Sequence, residues 1–201
     1  MPRLALLSLT CAVALLAACD SQGDGAAQQK ETSAAAKADA AGGEELAGTL
    51  DRSHAGESVP AVTVTDLEGA TLDLAQAVGQ PMLLNLWATW CAPCIAEMPL
   101  LDELAGELDG KVRVVTVSED MKGAEVVAPF LEGKGWDNLP SWMDPENDLA
   151  FGFGGGASLP LTVLYDAQGK EVWRMIGGYD WAGPEARRLI DEALDGTGND
   201  A

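Results

Sequence analysis

The sequence predicts an α/β fold in which a central mixed sheet is flanked by helices. Two nearly continuous apolar runs, Met82–Trp87 and Val112–Val117, have high strand propensity and suit strands that are covered on both faces. A stretch with apolar residues at helical spacing lies between these two runs. Strands and helices that alternate along a chain favour parallel strand pairing, and a later hairpin signal adds an antiparallel edge.

The remaining elements each carry a local signal. Gly110 and Gly135 close the first two predicted helices, and Asp166-Ala167-Gln168-Gly169 is typical of a hairpin turn. Pro184 favours the start of a C-terminal helix, because proline is accepted in the first helical turn. The predicted elements in chain order are strand Ala61–Thr65, strand Met82–Trp87, a helix from Cys94 to Leu108, strand Val112–Val117, helix Ala124–Lys134, strands Leu161–Tyr165 and Glu171–Ile176, and a helix from Pro184 to Leu194.

The chain is strongly acidic. Its 201 residues include 32 Asp and Glu against 12 Lys and Arg, which gives a formal net charge of -20. A chain of this charge is repelled by phosphate backbones and by anionic lipid headgroups. We therefore expect no nucleic-acid partner and no electrostatic docking on a membrane.

The N-terminus has the pattern of an exported lipoprotein. Arg3 precedes an apolar run, Leu4–Ala18, that is shorter than the ~20 residues needed to span a bilayer and is typical of a signal peptide. The run ends in Leu16-Ala17-Ala18-Cys19, which resembles a bacterial lipobox and predicts lipidation of Cys19. An ordinary small-residue cleavage site, with Cys19 incidental, is the alternative. Asp20 resembles a signal for retention in the inner membrane.

These patterns divide the chain into a signal peptide at 1–18, a disordered Ala/Gly/acidic tether at 19–58, a folded domain at 59–196 and a disordered tail at 197–201. The tether has no aromatic residue and few branched aliphatic ones, so it cannot bury enough apolar surface to offset its ordering entropy. His54 is the only histidine and lies in this stretch. It is interpreted as a solvated linker residue, and a catalytic or metal-binding role is the alternative.

Two cysteines remain for chemistry, because signal cleavage removes Cys11 and lipidation occupies Cys19. Cys91 and Cys94 form a C-x-x-C pair at the point where a predicted strand ends and a helix begins. This position favours a thiolate, because the N-terminus of a helix stabilises negative charge. We predict Cys91 as the exposed nucleophile and Cys94, within reach for an intramolecular disulfide, as the more buried resolving thiol. Half a zinc site and a purely structural disulfide are the alternatives, but the sequence has no second pair of metal ligands.

The string Asn85-Leu86-Trp87-Ala88-Thr89-Trp90-Cys91-Ala92-Pro93-Cys94, followed by Glu97-Met98-Pro99, resembles the TlpA/ResA branch of the thioredoxin superfamily. The resemblance covers roughly Val59 to Leu194. It implies a thioredoxin-like fold in which Ala61–Leu74 forms the N-terminal β-hairpin extension of this branch. Members are membrane-tethered extracytoplasmic thiol-disulfide oxidoreductases, and we expect neither a cofactor nor a metal here.

The resemblance also implies which residues contact the substrate. Ser158-Leu159-Pro160 lies where the superfamily keeps a cis-proline before a hairpin strand. A cis Leu159–Pro160 bond would present the backbone of Leu159 beside Cys91, where an extended substrate could pair with it. Trp90 and Pro93 are expected to shape the same surface. A trans proline opening an edge strand is the alternative.

Glu97 is our hypothesis for the group that moves the proton of Cys94. Helical spacing places the two residues on one face, and a carboxylate near the pair raises the thiol pKa values. Cytosolic thioredoxins use a buried Asp on the preceding strand, where this sequence has the non-titrating Asn85. An exposed acidic residue among several others on the helix is the alternative.

The resemblance implies a reductase of disulfides in exported proteins, lipid-anchored on the periplasmic side of the inner membrane. Relatives act on apocytochrome c and on copper-site assembly proteins and take electrons from a membrane thiol carrier. Two other functions share the fold. A peroxiredoxin-like peroxidase would need a pocket rich in Thr and Ser, with an Arg, around its reactive cysteine. In this sequence Trp90 and Pro93 occupy that neighbourhood. A copper metallochaperone typically has three residues between its cysteines and a distant His.

Overall fold

The computed structural model describes residues 46–154 and 157–194, and the predicted fold class is confirmed. The predicted signal peptide, Cys19 and the predicted tail lie outside the described residues. The elements in chain order are β1 (Ala47–Asp51), β2 (Thr63–Asp66), β3 (Thr71–Asp73), a single 3-10 turn (Leu74–Gln76), β4 (Met82–Trp87), α1 (Ala92–Glu107), β5 (Arg113–Ser118), α2 (Ala124–Leu131), β6 (Ser141–Met143), α3 (Asp148–Gly152), β7 (Leu161–Tyr165), β8 (Glu171–Tyr179) and α4 (Pro184–Leu194).

The described strands form one mixed sheet in the order β1-β8-β7-β4-β5-β6-β2-β3. Strands β4, β5 and β6 are parallel, because α1 and α2 return the chain to the same edge of the sheet. Strands β7, β8 and β1 continue the sheet on one side with antiparallel pairing. On the other side β2 pairs antiparallel with β6 and with β3.

The central strand β4 is buried along all six residues and separates two hydrophobic cores. Leu83 and Trp87 pack in the core that contains α1 and α4, whereas Leu84 and Leu86 pack in the core of the opposite face. This division follows from the alternation of side chains along a strand. Each fully buried Leu contributes roughly 1.5–3 kcal/mol, so β4 anchors the loop that follows it.

The segment predicted as a hairpin extension contains β2 and β3, in which Val64 lies opposite Leu72. The turn between them is stabilised by Asp66, whose carboxylate accepts hydrogen bonds from the N–H groups of Glu68 and Ala70 at 3.0 and 2.7 Å. Because β2 also pairs with β6, the hairpin lengthens the sheet beyond the last parallel strand.

The predicted tether boundary at residue 58 is wrong, because β1 lies inside the predicted tether and pairs with β8. Leu50 lies opposite Met175, and the N–H of Gly56 donates to the carbonyl oxygen of Glu171 at 2.7 Å. The strand was missed because its own side chains bury little surface, and its stability comes from hydrogen bonds to an existing sheet edge. His54, in the turn after β1, contacts Glu57 with its Nδ1 atom at 3.0 Å.

Two short elements, β6 and α3, were not predicted. Each has five residues or fewer, which is too short for a periodic pattern to stand out from its surroundings. Phe151 and Gly152, the first residues of a Gly-rich run, form the end of α3.

Gly48 of β1 provides a test of this strand. A Cβ atom at this position would lie 2.9 Å from the carbonyl oxygen of Gly177 and 3.0 Å from Cγ of Met175. We expect Gly48→Ala to lower the free energy of unfolding by about 1–3 kcal/mol and to remove hydrogen-exchange protection from the β1 amides. Thr49→Ala, at an exposed position of the same strand, is the control. Equal protection in the two variants would show that β1 does not depend on this close approach.

Candidate active site

The two cysteines lie at the N-terminus of α1, directly after the buried strand β4 and its short loop. Cys91 is the N-cap residue, and its Sγ atom accepts a hydrogen bond from the N–H of Cys94 at 3.3 Å. Pro93 occupies the first turn, where a missing N–H costs no helical hydrogen bond. Cys91 and Cys94 are joined by a disulfide, with their Cα atoms 5.3 Å apart.

Cys91 is less exposed than predicted. In the disulfide form its exposed fraction is 6% and that of Cys94 is 0%. Both belong to the same hydrophobic cluster as Trp87 and Met98, which explains why little of Cys91 reaches solvent. The predicted order of exposure holds, and Cys91 is the half of the disulfide that a substrate can reach more easily.

The residues expected to contact the substrate surround this disulfide. Trp90 has 70% of its surface exposed immediately before Cys91, and Pro93 is half-buried. The Leu159–Pro160 peptide bond is cis, as predicted. No described residue makes a hydrogen bond to the backbone of Leu159. Trp90 and Leu159 line one cavity, so the structure brings the two loops together.

Glu97 is fully buried in α1, which excludes the alternative of an exposed acidic residue. Its Oε2 atom accepts hydrogen bonds from the N–H of Tyr179 at 2.9 Å and from Nε1 of Trp181 at 3.0 Å. Its Oε1 atom accepts one from Nδ2 of Asn85 at 2.9 Å. Burial raises the pKa of Glu97 to about 7, although these three donors act in the opposite direction. Glu97 can therefore hold or release a proton near neutral pH.

Asn85 holds Glu97 from the sheet below. Its Nδ2 atom also donates to Oγ1 of Thr162 on β7 at 2.9 Å. Its Oδ1 atom is buried and has no hydrogen-bond partner among the described residues. The position that carries a titrating acid in cytosolic thioredoxins is thus occupied here by a neutral amide that orients Glu97.

Two acidic residues that the sequence analysis missed follow β5. Asp120 accepts hydrogen bonds from the N–H and Oγ1 of Thr89, both at 2.8 Å, and so braces the loop that leads to Cys91. Glu119 is buried beside this loop and lines the cavity with Trp90. Because parallel strands end at the same edge of a sheet, residues after β5 approach residues after β4. This rule could have found both acids.

No cluster of three or more His, Cys, Asp or Glu side chains within residues 46–154 and 157–194 is arranged to hold a metal ion. His54 lies in the turn after β1 and contacts Asp51 and Glu57. The cysteines are joined to each other. The paired sulfur atoms of Cys91 and Cys94 can carry out thiol-disulfide exchange.

A family profile described as AhpC/TSA matches residues 55–174, which include the cysteines, the buried Glu97 and the cis-proline loop. The chain belongs to the AhpC/TSA family. It is similar to the thiol-disulfide oxidoreductase ResA of Bacillus thuringiensis, with 33% identity over 128 residues that cover 63% of this chain and 72% of the relative. These similarities and the cysteine pair identify a thiol-disulfide oxidoreductase of the thioredoxin superfamily.

Solved structures agree on the fold. A structure described as the thiol:disulfide interchange protein DsbE from Chlorobium tepidum has a TM-score of 0.62 at 23% identity and covers 70% of this chain and 97% of its own. The exposed lipoprotein thioredoxin Etrx1 of Streptococcus pneumoniae has a TM-score of 0.56 at 28% identity and covers 65% of this chain and 98% of its own.

The buried carboxyl of Glu97 predicts an unusual dependence of stability on pH. The folded protein retains the Glu97 proton up to about pH 7, whereas the unfolded chain releases it near 4.5. This residue therefore lowers the free energy of unfolding as pH rises from 4.5 to 7, by an amount on the order of 3 kcal/mol. We expect Glu97→Gln to reduce the decline in stability between pH 4.5 and 7 by about this amount in denaturant titrations.

Glu103→Gln, on the exposed side of the same helix, is the control and should keep the wild-type profile. The assignment is contradicted if both variants show the same slope between pH 4.5 and 7.

Proposed function

We propose that the protein reduces disulfide bonds in exported polypeptides on the periplasmic side of a bacterial inner membrane. The observation that carries the proposal is a Cys91–Cys94 disulfide at a helix N-terminus, with the fully buried Glu97 one turn further along. A carboxylate close to the cysteines disfavours thiolates and so favours the disulfide form of the enzyme. An enzyme that prefers its own disulfide gives electrons to its substrates.

The reaction begins from the dithiol form. The Cys91 thiolate attacks one sulfur of the substrate disulfide, which forms a mixed disulfide and releases the other substrate sulfur as a thiolate. Cys94 then loses its proton and attacks Cys91, which releases the second substrate thiol and forms the enzyme disulfide. Two electrons pass to the substrate, which ends as a dithiol. We assign the ionised form of Glu97 as the acceptor of the Cys94 proton.

The surface around Cys91 supports an extended polypeptide as substrate. The exposed ring of Trp90 offers an apolar contact, and the backbone of Leu159, which has no hydrogen-bond partner within the described ranges, can pair with a strand-like segment. Within this class we propose apocytochrome c, whose haem-attachment cysteines must be reduced, and copper-site assembly proteins. A protein dithiol in the membrane would return the enzyme disulfide to the dithiol form.

We further propose that lipidated Cys19 anchors the protein and that the residues between Cys19 and β1 join the anchor to the folded domain. No helix within the described ranges is long and apolar enough to cross a bilayer. Etrx1, the similar solved structure, is described as an exposed lipoprotein. An anchor at the N-terminus would keep the active site close to a membrane-bound electron donor.

Cys94→Ser tests the catalytic assignment, because an enzyme without the resolving thiol cannot release its substrate. We expect this variant to accumulate mixed disulfides in cells, seen as bands of higher mass on non-reducing gels. Cys91→Ser is the matched control and should accumulate few. Mass spectrometry of the captured proteins then reports whether cytochrome c precursors are among them. Equal trapping by the two variants would contradict Cys91 as the nucleophile.

Cys19→Ser tests the anchor separately from the chemistry. We expect the protein to move from the membrane fraction to the soluble fraction of cell lysates, because the acylated residue is lost. Cys11→Ser, within the predicted signal peptide, is the control and should leave the protein in the membrane fraction. Membrane association that survives Cys19→Ser would exclude lipidation of Cys19 as the anchor.

A further inference from the structure

A cavity of about 260 Å³ opens beside the cysteine pair and has a mostly apolar lining that includes two polar residues. Trp90, Phe151, Ala157 and Leu159 form the apolar part. The polar residues are Asn147, whose Nδ2 atom already donates to the carbonyl oxygens of Glu119 and Asp144, and Glu119, after which we name the cavity the Glu119 pocket. Its volume suits one side chain of a bound polypeptide rather than a whole segment.

The carboxyl group of Glu119 is buried without a hydrogen-bond donor or a positive charge beside it among the described residues. Its exposed fraction is 3%, and neither carboxylate oxygen has a hydrogen-bond partner among the described residues. The charged groups that face it are Asp144 and Asp148, which are both acidic. A buried carboxyl that lacks a donor and a counter-ion is costly, so a partner supplied from outside would be stabilised there.

The backbone around Glu119 is held by hydrogen bonds on both sides. The N–H of Glu119 donates to the carbonyl oxygen of Trp87 at 2.8 Å. Its own carbonyl oxygen accepts a hydrogen bond from Nδ2 of Asn147 at 3.1 Å. Asn147 has a left-handed conformation with φ of 59°, which asparagine tolerates better than most residues. These contacts join the end of β5 to the start of α3 and fix the backbone from which the Glu119 side chain extends.

We propose that the Glu119 pocket binds a cationic side chain, Arg or Lys, that lies close to the cysteines of the polypeptide substrate. The inference rests on the proposed function and adds a preference within that substrate class. The aliphatic stem of such a side chain would pack against Trp90 and Phe151, both largely exposed. Its charged group would pair with the Glu119 carboxylate and lie over the indole ring. Arg fits best, because its guanidinium matches a carboxylate with two parallel hydrogen bonds.

Burial, followed by the charge of Asp144, raises the pKa of Glu119 to about 8, and the Ala150 N–H, too distant for a full hydrogen bond, partly offsets this. Glu119 is therefore mainly protonated at pH 7 and ionised at pH 9. A cation binds the ionised form more tightly. The preference for a cationic side chain should therefore increase as pH rises from 7 to 9.

The test uses disulfide-bonded peptides that carry Arg, or its neutral isostere citrulline, at each of four positions flanking the cysteines. The full-length protein in non-ionic detergent is reduced, and its second-order rate constant with each peptide is measured by stopped-flow fluorescence. We expect the Arg peptide to react about tenfold faster than the citrulline peptide in at least one position. Ionisation of Cys91 changes the rate constants of both peptides by the same factor, so it cancels in the ratio of the two rate constants.

We expect Glu119→Gln to bring this ratio close to one and to remove its increase between pH 7 and 9. Glu125→Gln changes the net charge by the same amount at an exposed position and should keep the wild-type ratio. Equal rates for Arg and citrulline at all four positions, or a ratio that persists in Glu119→Gln, would overturn the inference and leave the proposed function intact. Absence of reaction with every peptide would overturn both.

Discussion

The active site depends on the burial of one carboxyl group. Glu97 joins three parts of the fold, because it is held by Asn85 of β4, by the last residue of β8 and by Trp181 ahead of α4. Removing a carboxylate from water costs several kcal/mol, and these three donors offset part of that cost. The balance brings the pKa of Glu97 to about 7. The same contacts fix the first turns of α1 against the sheet and so fix the position of the cysteines.

The rest of the site comes from the edge at which the parallel strands end. The loop after β4 carries Trp90 and Cys91, and the loop after β5 carries Glu119 and Asp120. Hydrogen bonds from Thr89 to Asp120 join the two loops. The cis-proline loop before β7 closes the third side. The position of Cys91 and the cavity beside the disulfide therefore depend on three loops that a rigid sheet holds in place.

The sequence was most informative where local chemistry and tertiary structure agree. Strands β4 and β7 were predicted with the bounds that the structure has, because a continuous apolar run has few other stable conformations. The cysteine pair stands out by its spacing and by the motif around it. Strand β1 and Glu119 could not be found in this way. The first depends on a sheet edge supplied by distant β8, and the second on the adjacency of β4 and β5. The residues next to β1 and next to Glu119 give no sign of either strand pairing.

The neutral amide of Asn85 affects how the site responds when Glu97 gains or loses a proton. With Glu97 ionised, the amide group of Asn85 points its nitrogen at the carboxylate, and its oxygen has no partner in the described part of the chain. A half-turn of this amide would present the oxygen to a protonated Glu97, and the hydroxyl of Thr162 can then donate instead of accept. The strand adapts to either state by rotating a neutral dipole. An aspartate at the same place would instead add a second negative charge to the interior, so that gain of a proton at one acid would be coupled to loss at the other.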